Sequence, residues 1–138
     1  MRYSLDANAI SLILEHNREA LLRLREARER GEILICPMAA FEVLRGLHEK
    51  GATRKLADFD KLLEECQWRE FTREIWFEAA RTWAELRGRG IGMEKKDADL
   101  LIARHARHFQ ATVVTKDRDF KHFTTSVEDW GSSGAAER

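Results

Sequence analysis

Three short runs of apolar or β-branched residues, "RYSL" at 2–5, "ILIC" at 33–36 and "ATVVT" at 111–115, read as strands buried on both faces. "WREF" at 68–71 and "TSVEDW" at 125–130 are weaker strand candidates. Between these runs the apolar period lengthens to that of helices: Leu21, Leu24 and Ala27; Phe41, Leu44 and Leu47; Ile75, Ala79, Trp83 and Leu86; Leu101, Ile102 and Ala106. Strands alternating with helices predict an α/β fold, a central, mainly parallel sheet with helices on both faces, because parallel neighbours need crossover connections. Gly31, Gly51 and the "GRGIG" stretch at 88–92 punctuate the helices, and Pro37 is placed to open one, where its missing N–H does no harm. No repeat or linker divides the chain. A single domain over residues 1–130 is expected, followed by a small polar tail, "GSSGAAER" at 131–138, expected to be disordered.

Composition narrows the partners without choosing one. Lys and Arg number 24, balanced by 24 Asp and Glu, so any attraction for a polyanion must come from local clustering. Cys36 and Cys66 are too few for a disulfide framework and stand among apolar neighbours, which predicts buried free thiols in a reducing cytosol and no metal site built on sulfur. No basic N-terminal region precedes an apolar run, and no apolar segment approaches the roughly 18 residues of a membrane span. A soluble, cytoplasmic protein without a membrane partner is expected.

The residues that carry chemistry fall at the strand ends, where parallel α/β sheets bind their ligands. Asp6 directly follows "RYSL", and Asp117 comes shortly after "ATVVT". Glu42 lies in the first turns of "MAAFEVLRGLHEKG", the helix that follows "ILIC", where the helix dipole favours an acid. Asp97 and Asp99 open the helix "DADLLIARHARHF", and two residues apart they point roughly 200° away from each other around its axis. Asp97 is expected as the N-cap, which leaves Asp99 to face the sheet edge. Asp6, Glu42, Asp99 and Asp117 then converge on one mouth, with Asp119 as a candidate fifth acid. At a spacing of about 4 Å each pair of carboxylates repels by up to roughly 4 kcal/mol at an effective dielectric near 20. Such a cluster calls for a hard cation with oxygen ligands, Mg²⁺ or Mn²⁺, and one or two such ions would activate a water against a phosphodiester.

Four blocks carry a family resemblance: "YSLDANAIS" at 3–11, "AAFEVLRG" at 39–46, "DADLLIARHA" at 97–106 and "VVTKDRDF" at 113–120. In content and order they resemble a PIN-domain ribonuclease and, among those, the VapC-type toxins of toxin–antitoxin pairs. The resemblance implies a Mg²⁺- or Mn²⁺-dependent endoribonuclease in which Asp6, Glu42, Asp99 and Asp117 are the catalytic, metal-binding acids. It makes Asn8 and Thr115 the polar residues that hydrogen-bond around the metal-bound water and the acids, and Arg45 a basic neighbour of the site. It further implies a structured RNA target such as a tRNA or rRNA loop, a small cognate antitoxin that occludes the site, and a homodimer. Ala7 departs from the pattern, since many members carry Thr or Ser there. Arg104 stands where a second Ala is usual, and Asp117 is often Asn.

The alternatives are a housekeeping PIN nuclease of RNA processing with no antitoxin, and a catalytically weak PIN-like binding module. Ala7 favours the latter and the intact acids oppose it. A haloacid dehalogenase-type phosphatase would want D-x-D after the first strand, where "DAN" places Asn8 third. His105 and His108 form an H-x-x-H without a third ligand and are expected at a rim or in solvent. Trp76 and Trp83, seven apart on one helix face, are expected to pack in the core or an interface rather than stack bases. Arg23, Arg25, Arg28 and Arg30 alternate with Glu26 and Glu29 and read as a solvated helix. Arg87, Arg89, Lys95 and Lys96, nearly free of acids, run up to the helix carrying Asp99 and are candidates to hold RNA phosphates.

Overall fold

The computed structural model describes residues 1–124 and 126–131. The apolar runs become β1 (Arg2–Leu5), β2 (Glu32–Ile35) and β4 (Thr112–Val114), and the weaker candidates shrink to the two-residue strands β3 (Gln67–Trp68) and β5 (Val127–Glu128). All neighbouring strands pair in parallel, in the order β3-β2-β1-β4-β5. The central strands carry no alternation of polar and apolar residues because helices cover both faces: in β1 and β2 every residue after the first is buried.

Helices α1 (Ala7–Leu14) and α2 (Arg18–Arg30) lead from β1 to β2, and α3 (Pro37–Glu49) and α4 (Thr53–Glu64) lead from β2 to β3. The chain then returns through α5 (Arg73–Gly88) and α6 (Asp97–His108) to place β4 on the other side of β1. This reversal makes the gap between β1 and β4 the topological switch point, where the outgoing connections diverge and leave a crevice. Pro37 sits in the first turn of α3, and Gly90, at φ 83°, makes the left-handed turn after α5 that a residue with a Cβ resists. A single core is filled by Leu5, Ile10, Leu34, Ile35, Phe59, Ile102 and Val113 among others. Each such side chain contributes roughly 1.5–3 kcal/mol relative to exposure.

Several packing expectations are corrected. In α3 the face turned inward is Ala39, Ala40 and Val43; Leu44 and Leu47 flank it half-buried, and Phe41 is exposed under the guanidinium of Arg45. Small residues win the inner face because α3 packs against α1, α4 and α6 at once. Of the two places expected for Trp76 and Trp83, the core is excluded, since they are 47% and 38% exposed in the single chain, whereas Trp130 is buried against Tyr3. His105 is fully buried, not at a rim, with its ring between Phe71 and Phe109. Cys36 is a buried free thiol as expected, while Cys66 is only half-buried. Among the described residues no helix is long and apolar enough to cross a membrane. The tail expected at 131–138 lies outside the described residues except for Gly131, whose N–H is held by Asp129 Oδ1.

Candidate functional site

Register brings the first two acids together. Leu5 of β1 lies opposite Val114 of β4, so Asp6 and Thr115 leave the sheet side by side, and the Asp6 N–H continues the ladder to the Val114 carbonyl at 3.0 Å. Asp6 also caps α1, its Oδ1 accepting from the Ala7 N–H at 2.8 Å. Its other oxygen, Oδ2, accepts from the Thr115 hydroxyl at 2.8 Å and from Asn8 Nδ2 at 3.0 Å. Asn8 Nδ2 reaches Thr115 Oγ1 as well, at 2.9 Å, and Asn8 Oδ1 accepts from the Lys116 N–H at 3.1 Å. Three short polar side chains thus tie the ends of β1 and β4 into one closed network, with every oxygen of Asp6 directed.

From Thr115 the chain turns through Asp117. The Asp117 N–H donates to Thr115 Oγ1 at 3.0 Å, and Asp117 Oδ1 accepts from the Asp119 N–H at 2.9 Å, capping the 3₁₀ turn Arg118–His122. Glu42 lies half-buried on α3, with Arg45 Nη2 at 3.8 Å from its Oε2. Asp99 lies half-buried in the first turn of α6.

The four acids interact through charge. Burial pushes the Asp6 carboxyl above its ordinary range, Thr115 and the Ala7 N–H hold it down, and Asp117 raises it further. Burial and then Asp6 raise Glu42, opposed by Arg45. Asp99 is pushed up to about 6 by burial and by the charges of Asp6, Asp117 and Glu42, with Lys96 opposing. Among the described residues no group of three or more His, Cys, Asp or Glu side chains stands as a ready-made metal cage. Asp6 and Glu42 each feel one neighbouring carboxylate, and Asp99 feels three.

The remaining candidates divide. Asp119 is exposed, and its Oδ2 pairs with Lys96 Nζ at 3.2 Å. Asp97 is not the N-cap: α6 opens at Lys96 without a side-chain cap, and Asp97 is exposed beside Trp76 and Trp83. Lys95 precedes it at a left-handed φ of 62°, and this turn shifts the helix start by one residue from the sequence pattern. Lys96 therefore stands at the mouth between Asp99 and Asp119, and Lys95 is exposed next to it. Arg87 instead lies over the Trp83 ring at 5.4 Å, and Arg89 faces a separate cleft. The buried Nε2 of His105 donates to the Arg69 carbonyl at 2.7 Å, and His108 is exposed on the same side of the helix, its ring 4.8 Å from that of Phe109.

A family model described as "PIN domain" matches residues 3–125. No curated protein matches the sequence. Among solved structures the chain is similar to VapBC2 from Rickettsia felis, bound to a DNA fragment from its promoter, at 25% identity and a TM-score of 0.84 over 94% of this chain and 99% of that one. VapBC from Salmonella typhimurium, also bound to DNA, superposes with a TM-score of 0.79 at 22% identity, over 94% and 98% of the two chains. VapBC-1 from nontypeable Haemophilus influenzae gives 0.78 at 20% identity, over 96% and 100%. The last two likenesses concern the fold.

Proposed function

The chain belongs to the PIN domain family, whose members are nucleases, and from that premise we propose that it is the toxin of a VapBC-like pair, an endoribonuclease dependent on Mg²⁺ or Mn²⁺. The observation that carries the proposal is the charge coupling of Asp99 to Asp6, Asp117 and Glu42 at the switch point between β1 and β4. Four carboxylates from four segments, of which Asp6, Glu42 and Asp99 are raised by burial and by acidic neighbours, are a donor set that a hard dication relieves. Asp6, Glu42, Asp99 and Asp117 would hold the ion; Asp119, paired with Lys96, stands outside. Such an ion supplies charge neutralisation at a phosphodiester and lowers the pKa of a bound water.

The chain's own residues do the positioning. Thr115 and Asn8 fix Asp6 Oδ2 through hydrogen bonds of 2.8 and 3.0 Å, so this carboxylate does not reorient when charge develops beside it. Ala7 contributes no hydroxyl at its position, and Thr115 provides the nearest one to Asp6 in this network. Arg45, Lys95 and Lys96 stand around the mouth as cations for the phosphates flanking the cut, binding backbone rather than sequence. Hydrolysis puts the water oxygen on phosphorus and its proton on the leaving ribose oxygen.

By likeness to the VapBC assemblies the proposed protein partner is a small antitoxin, and the family resemblance of the sequence adds a tRNA or rRNA substrate and a second copy of the chain. The half-exposed Trp76 and Trp83 border an apolar cleft of about 380 Å³ with Leu100 and Leu101, a surface suited to a protein partner. Expression of the chain alone should arrest bacterial growth, and Asp6→Asn should relieve the arrest at equal protein levels. Equal arrest by both forms would overturn the assignment.

A further inference from the structure

We propose that the cationic cleft between the C-terminal halves of α5 and α6 is a second phosphate-binding subsite, which holds the backbone of the RNA strand away from the bond being cut. The proposal rests on the endoribonuclease reading above and adds to it a place for the rest of the substrate.

The cleft has a volume of about 800 Å³ and is lined by Arg89, Arg104, Arg107, Lys121 and His122, with Glu85 as the one acid among the described lining residues. Its floor is Arg104, only 7% exposed, on the inner side of α6. Nη1 of Arg104 donates to Thr82 Oγ1 at 3.2 Å, but its acidic neighbour Glu78 is at 3.9 Å and more than half exposed. Burial and the adjacent Arg107 both work against the charge on Arg104, and Glu78 and Glu85 offset them in part. A buried cation with a loose partner and a second cation beside it is costly as a structural tie. A phosphate in the cleft would offset both guanidinium charges, and a planar fork of N–H donors suits that ligand.

Position joins the cleft to the acids. A neighbouring cleft of about 590 Å³ is lined on one side by Thr115, Lys116, Asp117, Arg118 and Lys121, and on the other by Val127, Asp129 and the ion pair of Arg23 with Glu128. It reaches the network around Asp6 at one end, and Lys121 belongs to the lining of both clefts. Asp99 and Arg107 lie on one helix, eight residues and so about 12 Å apart along its axis. A strand with a phosphate at the acids can therefore continue past Arg118 and Lys121 to Arg107 and Arg104. An open, extended path of this kind favours a strand over a compact anion.

The test measures binding of a single-stranded oligoribonucleotide of roughly 12 residues, within the usual span of single-strand sites, and of a trinucleotide. Both are titrated against Asp99→Asn protein with Mg²⁺, in a salt series, so that the strand stays whole. The longer strand should bind more tightly, and adding Arg107→Gln and Lys121→Gln, both at exposed positions, should remove that advantage. Each lost phosphate contact should also flatten the plot of log affinity against log salt by about 0.7. Arg54→Gln with Lys61→Gln, both on α4, serves as a charge-matched control expected to change neither quantity. Strand-length preference and salt slope unchanged in the double variant, while unsubstituted protein still cleaves the strand, would overturn the subsite and leave the nuclease reading standing. Neither binding nor cleavage by unsubstituted protein would overturn the reading on which it rests. Displacement of the bound strand by inorganic phosphate at equal charge, with no dependence on strand length, would overturn the strand path in favour of a small-anion site.

Discussion

Replacing Asp99 by Asn removes one charge from the acidic mouth and almost no volume, so it should stabilise the metal-free protein while ending cleavage. Asp99 is pushed from the ordinary 3.8 up to about 6, by burial first and then by Asp6, Asp117 and Glu42. The folded protein thus keeps a proton on Asp99 where the unfolded chain has lost it. Stability from this group is complete below about 3.8 and is lost as the pH rises through about 6. At about 1.4 kcal/mol per pH unit the gap would be worth roughly 3 kcal/mol. Asp99 is half-exposed, and solvent screening reduces this to about 1–2 kcal/mol. In chelator near pH 8 the Asn variant should therefore melt about 3–6 °C above the unsubstituted protein. Near pH 4 the two should melt together, because the wild-type carboxyl is then protonated as well. Added Mg²⁺ should raise the melting point of the unsubstituted protein and move the variant much less, since an ion stabilises only the state that binds it. A variant no more stable than wild type in chelator at high pH, or a difference that does not vary with pH, would refute the reasoning.

Thr115→Val should cost about 1–3 kcal/mol in urea unfolding, because it strips a buried donor from Asp6 and an acceptor from Asn8 and the Asp117 N–H; unaltered stability and cleavage would count against the network. His105 is held neutral by burial, which lowers its pKa despite the Arg69 carbonyl, so its contribution to stability is present above about 6.5 and lost as the pH falls below it. His105→Phe should flatten the fall in stability between about pH 6.5 and 5, and a slope that persists would place its origin elsewhere. Because both proteins in the Asp99 comparison keep His105, its titration cancels there.

The segments that became central strands were legible because burial on both faces leaves continuous apolar runs, and the placing of Asp6 and Asp117 followed from reading those runs as parallel. Their register, Leu5 opposite Val114, was not legible, and it is register that sets Thr115 against Asp6. Helix starts were harder. The left-handed turn at Lys95 decides where α6 begins, and no residue type there announces it, so Asp97 was misread as a cap. His105 did carry a signal: Ile102, His105 and Phe109 fall at i, i+3 and i+7 on one helix face, and spacing outweighs polarity when the ring nitrogen finds a carbonyl. Phe41 shows the reverse case, an apolar residue left outside because the helices around α3 leave room only for alanine and valine. The cations of the second cleft come from α5, α6 and the turn after Asp117, three segments that only the fold brings together.

The most direct measurement is cleavage of total cellular RNA by the purified chain, free of antitoxin, with Mg²⁺, with Mn²⁺ and with chelator, run beside Asp99→Asn. Discrete products that need the ion and disappear in the variant are the expected result. Intact RNA with either ion from folded protein, or products that persist in chelator or in the Asp99→Asn variant, would contradict a metal-dependent ribonuclease centred on these acids.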